Sequence, residues 1–451
     1  MFKIVSTIGP QSEKKKILKS IIEKSDLIRL NGAHNSFNWH KSIVKKIRNI
    51  NIKIPILIDL PGIKPRTSNF SDVFIRKNQI IKFIYKKKSQ IKKSDKNIYL
   101  SNPLPKIISK KIFTISDGSY NFLIQKKKKN EIIAKSLQSF ILKPKKGINF
   151  LNSIYDESKQ EKIYLKYLQV FSTLKPDAVG LSYIQSAQII KKIKKKYKKL
   201  IFVSKIENSA GLLNSKSISE ASDIVMIDRG DLSAEVGSEN LFSSIKLISK
   251  NVKLMGKPLI MATENLDSMI KNSNPSKSEI VALGLSLDLG ADAIMLSNET
   301  ATSKNCVNIV NWLNKFRKSI KIKLPYIDQK INRERFVHNL IKQIENQTLV
   351  IFSKKGYAIE NIAKINSNIN IILFTDNIQL AKISSLRQNI YIIHTKTFNN
   401  QNLENFIYDN IKFNKKIVFK NSKEVIILRV IYPSPNSRAN NISFVNETDF
   451  N

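Results

Sequence analysis

The chain has a single cysteine, Cys306, which excludes an internal disulfide and a cysteine-ligated zinc site. A reducing, cytoplasmic compartment fits. The four histidines, His34, His40, His338 and His394, have no metal-binding spacing, so a His-held zinc is excluded as well. No apolar run is long enough to span a bilayer, so no membrane partner is expected. The opening "MFKIVSTIGP" reads as a strand and a turn, not as a signal peptide.

Arginine is also scarce. The net charge of +42 comes mostly from lysine, spread through every segment: "EKKKILK", "YKKKSQIKK", "QKKKKNE", "KKIKKKYKK". A dedicated nucleic-acid groove shows clustered Arg with interleaved aromatics. Lysine accompanied by heavy Ile and Asn use is what an AT-rich genome encodes. The lysine runs therefore read as solvated faces, and no specific nucleic acid is expected.

What is present is ordinary globular material: 451 residues, 42% hydrophobic and 25% charged, enough for two or three domains. Eight β-branched runs recur, at 3–8, 26–30, 55–60, 177–183, 200–206, 223–228, 257–263 and 292–297. Helical periods separate most of them, as at 36–49, 185–198 and 276–289. Alternating strand and helix over eight units predicts an α/β fold, a TIM (β/α)8 barrel. The rhythm breaks once, after the third strand, where 68–150 reads as an inserted small β-barrel domain. The expected organisation is barrel at 1–67 and 151–330, inserted lid at 68–150, and a C-terminal α/β domain at 331–451.

A TIM barrel does its chemistry at the C-terminal ends of its strands. There the sequence places Thr7, Arg29, Asn31, Asp59, Ser182, Lys205, Glu207, Asp228 to Asp231, Thr263 and Ser297 to Glu299. In "IFVSKIEN", Lys205 and Glu207 are two apart on a strand and share a face. Glu207 and Asp231 end neighbouring strands, and two hard carboxylates suit Mg²⁺, with Mn²⁺ as an alternative. Gly230 lets backbone N–H groups approach an anion, and Arg29, Arg66 and Lys205 add fixed cations. Metal, cations and backbone donors together point to phosphoryl transfer.

The blocks "KIVSTIGPQS", "IRLNGAH", "VSKIEN", "DIVMIDRGDLSAE", "KPLIMATENLDSM" and "GADAIMLSNETA" resemble, in order, the signature blocks of pyruvate kinase. The resemblance is strong over 1–67 and 176–302 and poor after about 350. It implies phosphate transfer from phosphoenolpyruvate to ADP with Mg²⁺, and a homotetramer. It implies Lys205 as the transition-state lysine and Glu207 and Asp231 as metal ligands. Arg29, Gly230 and Thr263 match the phosphoenolpyruvate site, with Thr263 ordering proton delivery to the enolate. Asn31, His34 and Arg66 match nucleotide and phosphate contacts, and Asp117 and Lys146 match the lid over the nucleotide.

Departures from the family pattern carry two further expectations. The family's potassium site would use Asn31 and Asp59, but Ala33 and Leu60 stand where Ser and Thr belong, and Lys64 replaces Glu. K⁺ is therefore not expected to be required. The effector loop resembles "SKKGYAI", without the usual hydroxyls and Arg, and the closing "PSPNSRANNISF" lacks the family's glycines, so regulation is expected to be weak. Two rival readings stay open: a Mg²⁺-enolate lyase or aldolase acting on pyruvate, and a decayed, non-catalytic basic protein that binds nucleic acid.

Overall fold

The structure is a computed structural model that describes residues 1–86, 97–106, 111–116, 118–320, 348–365, 369–396, 403–429 and 441–451. Eight strands form one closed parallel barrel: β1 (Lys3–Thr7), β2 (Leu27–Asn31), β3 (Ile56–Leu60), β4 (Ala178–Leu181), β5 (Ile201–Ile206), β6 (Ile224–Asp228), β7 (Leu259–Ala262) and β8 (Ala293–Leu296). Each pairs with its sequence neighbours, and β8 closes on β1. All eight coincide with the β-branched runs of the sequence.

Strand period explains what lines the barrel. Alternate residues point inward, and the inner layers are apolar: Val5, Leu27, Leu57, Ile201, Val203, Ile224, Met226, Ile260 and Met295. The same inward parity, carried one step further, brings Thr7, Arg29, Asp59, Lys205 and Asp228 to the mouth. Outward residues such as Ile4, Ile28, Ile58, Phe202 and Val225 pack under the helices in a larger core. Local sequence sets the helix starts. Ser36 caps Phe37–Ile50 by accepting from Trp39 N–H, and Ser276 and Glu279 form a capping box on Lys277–Asp288.

The chain leaves the barrel after β3 and builds an inserted β domain. Its six-stranded sheet contains Ile80–Tyr85, Ile98–Leu100, Ile112–Ile115, Tyr120–Lys128, Glu131–Ser136 and Ile148–Phe150. A ribbon of Val73–Ile75 and Phe140–Leu142 covers the same core. Phe83, Phe113 and Phe122 fill that core with ring centroids 5.1–5.3 Å apart.

The C-terminal α/β domain carries parallel strands at Thr348–Phe352, Asn370–Thr375, Ile390–His394 and Glu424–Arg429. Asn441–Asn446 adds an antiparallel edge that the sequence reading did not foresee. This domain sits against the end of the barrel opposite the mouth. Leu386 and Ile383 reach into the barrel's inner apolar layer, and Arg387 Nη2 donates to Gly256 O at 2.7 Å.

Candidate active site

The mouth is a cleft of about 710 Å³, walled by strand ends, the lid hinge and the 163–167 stretch of the helix Glu157–Phe171. At its base Lys205, 4% exposed, has Nζ 2.6 Å from Glu207 Oε1, 3.3 Å from Asp59 Oδ2 and 3.4 Å from Asp228 Oδ2. Burial alone would lower the ammonium's pKa. The three carboxylates outweigh it and hold Lys205 far above its ordinary value. Register places these partners: Gly180 lies opposite Asp59 across β4 and β3, and a Cβ there would stand 2.1 Å from Asp59 Oδ1.

Asp59 Oδ2 also accepts two bonds from Arg29, at 3.0 Å from Nε and 2.8 Å from Nη2. Burial pushes its carboxyl up, but Lys205 and Arg29 overcome that and hold it below the usual range. Glu207 behaves oppositely. Burial, with Asp228 and Asp231 beside it, pushes the carboxyl up to about 8 despite Lys205. Its Oε2 accepts from the Tyr183 backbone N–H at 2.5 Å.

Three carboxylates converge. Ligand oxygens of Glu207, Asp228 and Asp231 lie within 4.8 Å of one another. An all-oxygen set of that size, with room for waters and substrate oxygens in the open cleft, fits Mg²⁺ or Mn²⁺. The acids are meanwhile countered by ammonium groups, Lys205 on Glu207 and Lys64 on Asp231. Lys64 is 4% exposed, pairs with Asp231 and lines the cleft, unlike the chain's solvated lysines.

Thr263 ends β7 in the left-handed region, at φ 63°, unusual for a β-branched residue. Its surroundings impose that shape. Its hydroxyl accepts from Gly230 N–H at 3.0 Å and has Asp228 Oδ1 and Ala262 O at 3.1 and 2.7 Å as acceptors for its proton. Arg229 fixes the next link: Nε donates to Thr263 O at 3.0 Å, and Nη2 donates to the same oxygen and to Asn265 Oδ1.

A buried ammonium beside three metal-competent carboxylates, with the Thr263 hydroxyl against one of them, Asp228, suits phosphoryl transfer. The barrel-domain model of pyruvate kinase matches residues 1–310. The chain belongs to the pyruvate kinase family. It is similar to the pyruvate kinase of Thermococcus litoralis, 30% identical over 330 residues that cover 70% of this chain and 69% of that protein. Pyruvate kinase of Encephalitozoon cuniculi is 27% identical over 410 residues, covering 87% and 91%. Pyruvate kinase of Hypocrea jecorina is 25% identical over 421 residues, covering 86% and 78%. Pyruvate kinases are phosphotransferases that need a divalent metal, and no described helix of this one is long and apolar enough to cross a membrane.

Most residues singled out in the sequence meet in this pyruvate kinase cleft: Arg29, Asn31, His34, Lys64, Arg66, Lys205, Glu207, Gly230, Asp231 and Thr263 all line it. Asp59 lies just beneath, 1% exposed. His34 is pushed down to about 4 by desolvation in the cleft and by Arg66, Arg29 and Lys145. Lys146 is half-buried at the hinge, where its N–H donates to Thr67 Oγ1 at 3.0 Å, and it does not line the cleft. Asp117 lies outside the described residues. Three residues went unassigned in the sequence: Asp228 as a third ligand, Arg229 as the grip on Thr263, and Tyr183 as a donor to Glu207. "DIVMIDRGDL" held the signal for the first two, since an aspartate and an arginine end a strand that is otherwise fully apolar.

Proposed function

We propose that the chain transfers the phosphoryl group of phosphoenolpyruvate to ADP, giving pyruvate and ATP in the last step of glycolysis. The observation that carries this reading is the Lys205 ammonium, held by Glu207, Asp59 and Asp228 at the edge of the carboxylate triad. Its charge is fixed before any substrate arrives, which is what stabilising a migrating phosphoryl group requires. Arg29 adds a second fixed charge toward the substrate phosphate. Asn31, His34 and Arg66 line the cleft and would contact the nucleotide, and Asp117 and Lys146 are assigned to it as lid contacts from the sequence motif alone. The P–O bond to the enol oxygen breaks as a new one forms to the terminal oxygen of ADP. The enolate left behind takes a proton at carbon, which the Thr263 hydroxyl orders. Glu207, Asp231 and Asp228 would hold Mg²⁺ or Mn²⁺, which when bound neutralises phosphate charge.

Turnover without K⁺ belongs to the same proposal. Asp59, a remnant of the potassium site with Asn31, already has Oδ2 engaged by Arg29 and Lys205, and the Lys64 ammonium sits on Asp231. A further cation in contact with it would be repelled by about 4 kcal/mol at an effective dielectric near 20. Weak effector control is supported at "SKKGYAI". Ser353 Oγ accepts from Gly356 N–H at 2.9 Å within this loop, and Lys354 lies 4.0 Å from Asp376, just past the strand Asn370–Thr375. Residues 433–440 of the closing segment lie outside the described residues. We also propose the boundaries 1–67, 68–150, 151–330 and 331–451, a cytoplasmic setting and a homotetramer. Val281 and Leu285, one turn apart, are 71% and 42% exposed on an outer helix, an apolar strip suited to a subunit contact.

The test is pyruvate formation from phosphoenolpyruvate with ADP and Mg²⁺ each omitted in turn. Dependence on both is expected. Pyruvate and inorganic phosphate formed without ADP would replace this reading with hydrolysis, in which water takes the phosphoryl group, and no turnover of phosphoenolpyruvate under any condition would reject this catalysis.

A further inference from the structure

Glu235 is fully buried one helical turn beyond Asp231, on the helix Arg229–Val236. Nothing in the reaction uses it, yet its surroundings are built around its carboxylate. Tyr155 Oη lies 3.3 Å from Oε1, with Asn149 Nδ2 and Tyr183 Oη each at 3.4 Å, and Ser153 Oγ is 3.4 Å from Oε2. The Glu235 main-chain oxygen accepts from Asn152 N–H and Ser209 Oγ, both at 3.0 Å.

All but two of these partners, Tyr183 and Ser209, belong to residues 149–155, the segment by which the chain returns from the inserted domain to the barrel. Just upstream, Gly147 lies so close over the Lys64 stem that a Cβ would meet Lys64 Cε at 2.4 Å. The return hinge is thus gripped twice, by Glu235 and by the Lys64 that pairs with Asp231. Tyr183 extends the grip. Its hydroxyl takes a bond from Asn149 at 2.8 Å, and its backbone N–H reaches Glu207. Burial pushes the Glu235 carboxyl up to about 8, and Lys64 pulls it the other way.

We propose that Glu235 is a positioning residue through which the return hinge of the inserted domain sets Asp231 and Glu207 for the divalent cation. Asp231 is fixed from one side by the helix that Glu235 anchors, and Glu207 from the other by Tyr183. Lid placement and cation binding are therefore one linked equilibrium: what orders 149–155 tightens the metal site, and the metal orders 149–155 in return.

The proposal rests on the reading of Glu207, Asp228 and Asp231 as the cation site, and it is tested without turnover. Mn²⁺ binding to the full chain is followed by electron paramagnetic resonance, alongside hydrogen exchange of 148–155 with and without Mn²⁺. Wild type should bind Mn²⁺ and slow exchange in that segment. Glu235→Ala should weaken Mn²⁺ about 10–100-fold, the usual cost of losing a group that orients a ligand, and should lose the Mn²⁺-dependent protection. Glu235→Gln, which keeps an acceptor and a donor, should recover most of both. Tyr155→Phe removes a single hydroxyl and serves where Glu235→Ala does not fold; it should lose part of the protection. Unchanged affinity and protection in folded Glu235→Ala, or in Tyr155→Phe where the alanine variant does not fold, would overturn this inference alone. No Mn²⁺ binding by wild type would overturn the metal site and this inference with it.

Discussion

Lys205 on β5 and Glu207, the residue just past its end, stand with 2.6 Å between Nζ and Oε1. The pair is both a charge balance and a substrate site, and the two roles separate experimentally. Lys205→Met leaves Glu207 and Asp228 buried without their cation and Asp59 with Arg29 alone, which should cost about 3–5 kcal/mol of stability. Mg²⁺ should return part of that, raising Tm more in the variant than in wild type. Phosphoryl transfer should fall by about a thousandfold. Full turnover by folded Lys205→Met would remove the catalytic assignment.

Asp228→Asn should raise the Mg²⁺ concentration needed for half-maximal activity, as Glu207→Gln and Asp231→Asn should. A titration unchanged in Asp228→Asn, but shifted in the other two, would reduce the site to two protein ligands.

Arg229→Met should release the Thr263 carbonyl and let φ relax from 63°. A misplacement of about 1 Å costs on the order of a hundredfold in rate. The loss should appear in kcat with little change in the KM for ADP, and in slower exchange of solvent deuterium into the methyl group of pyruvate. Equal losses in kcat and KM would assign Arg229 to binding.

Turnover in Na⁺ or tetramethylammonium should match turnover in K⁺ at equal ionic strength. Lys64→Glu should lose activity by placing a carboxylate against Asp231. K⁺ should restore only part, because Ala33 still lacks a hydroxyl. Strong K⁺ stimulation of wild type would contradict the assignment of Lys64.

His34 gives a sign for acid stability. Its folded pKa of about 4 lies below the ordinary 6.5. Between those values the unfolded chain binds the extra proton, so stability falls as pH drops through that window. His34→Gln should flatten this part of the Tm–pH curve and leave it unaltered above pH 7. A steeper curve would mean that the imidazole is protonated in the fold.

The barrel was legible because its two demands coincide in sequence. Each strand needs apolar residues at period two, and the mouth needs charge at the next inward step, as in Ile201, Val203, Lys205. The inserted domain was legible as an interruption in that rhythm. Asp228 and Arg229 were harder, since a charged pair after an apolar strand reads equally well as a rim. Glu235 closes the block "DIVMIDRGDLSAE" but was given no role: the side chains around its carboxyl are 52 or more positions away in sequence, and only the fold brings Asn149, Tyr155 and Tyr183 to it. Lys146 was placed by motif, but a hinge residue's side chain follows the lid's position, which no local pattern encodes.

Leu386, 2% exposed in the barrel's inner layer, has a consequence for synthesis. A nascent chain that has emerged only to residue 320 already holds all eight strands, yet the floor of its barrel is an open apolar ring. The plug arrives some sixty residues later. Until then the half-made protein is a sticky object on the ribosome, and its last domain is as much a stopper for the first as a unit in its own right. Ribosome-bound chains halted at 320 and at 396 should differ sharply in chaperone capture.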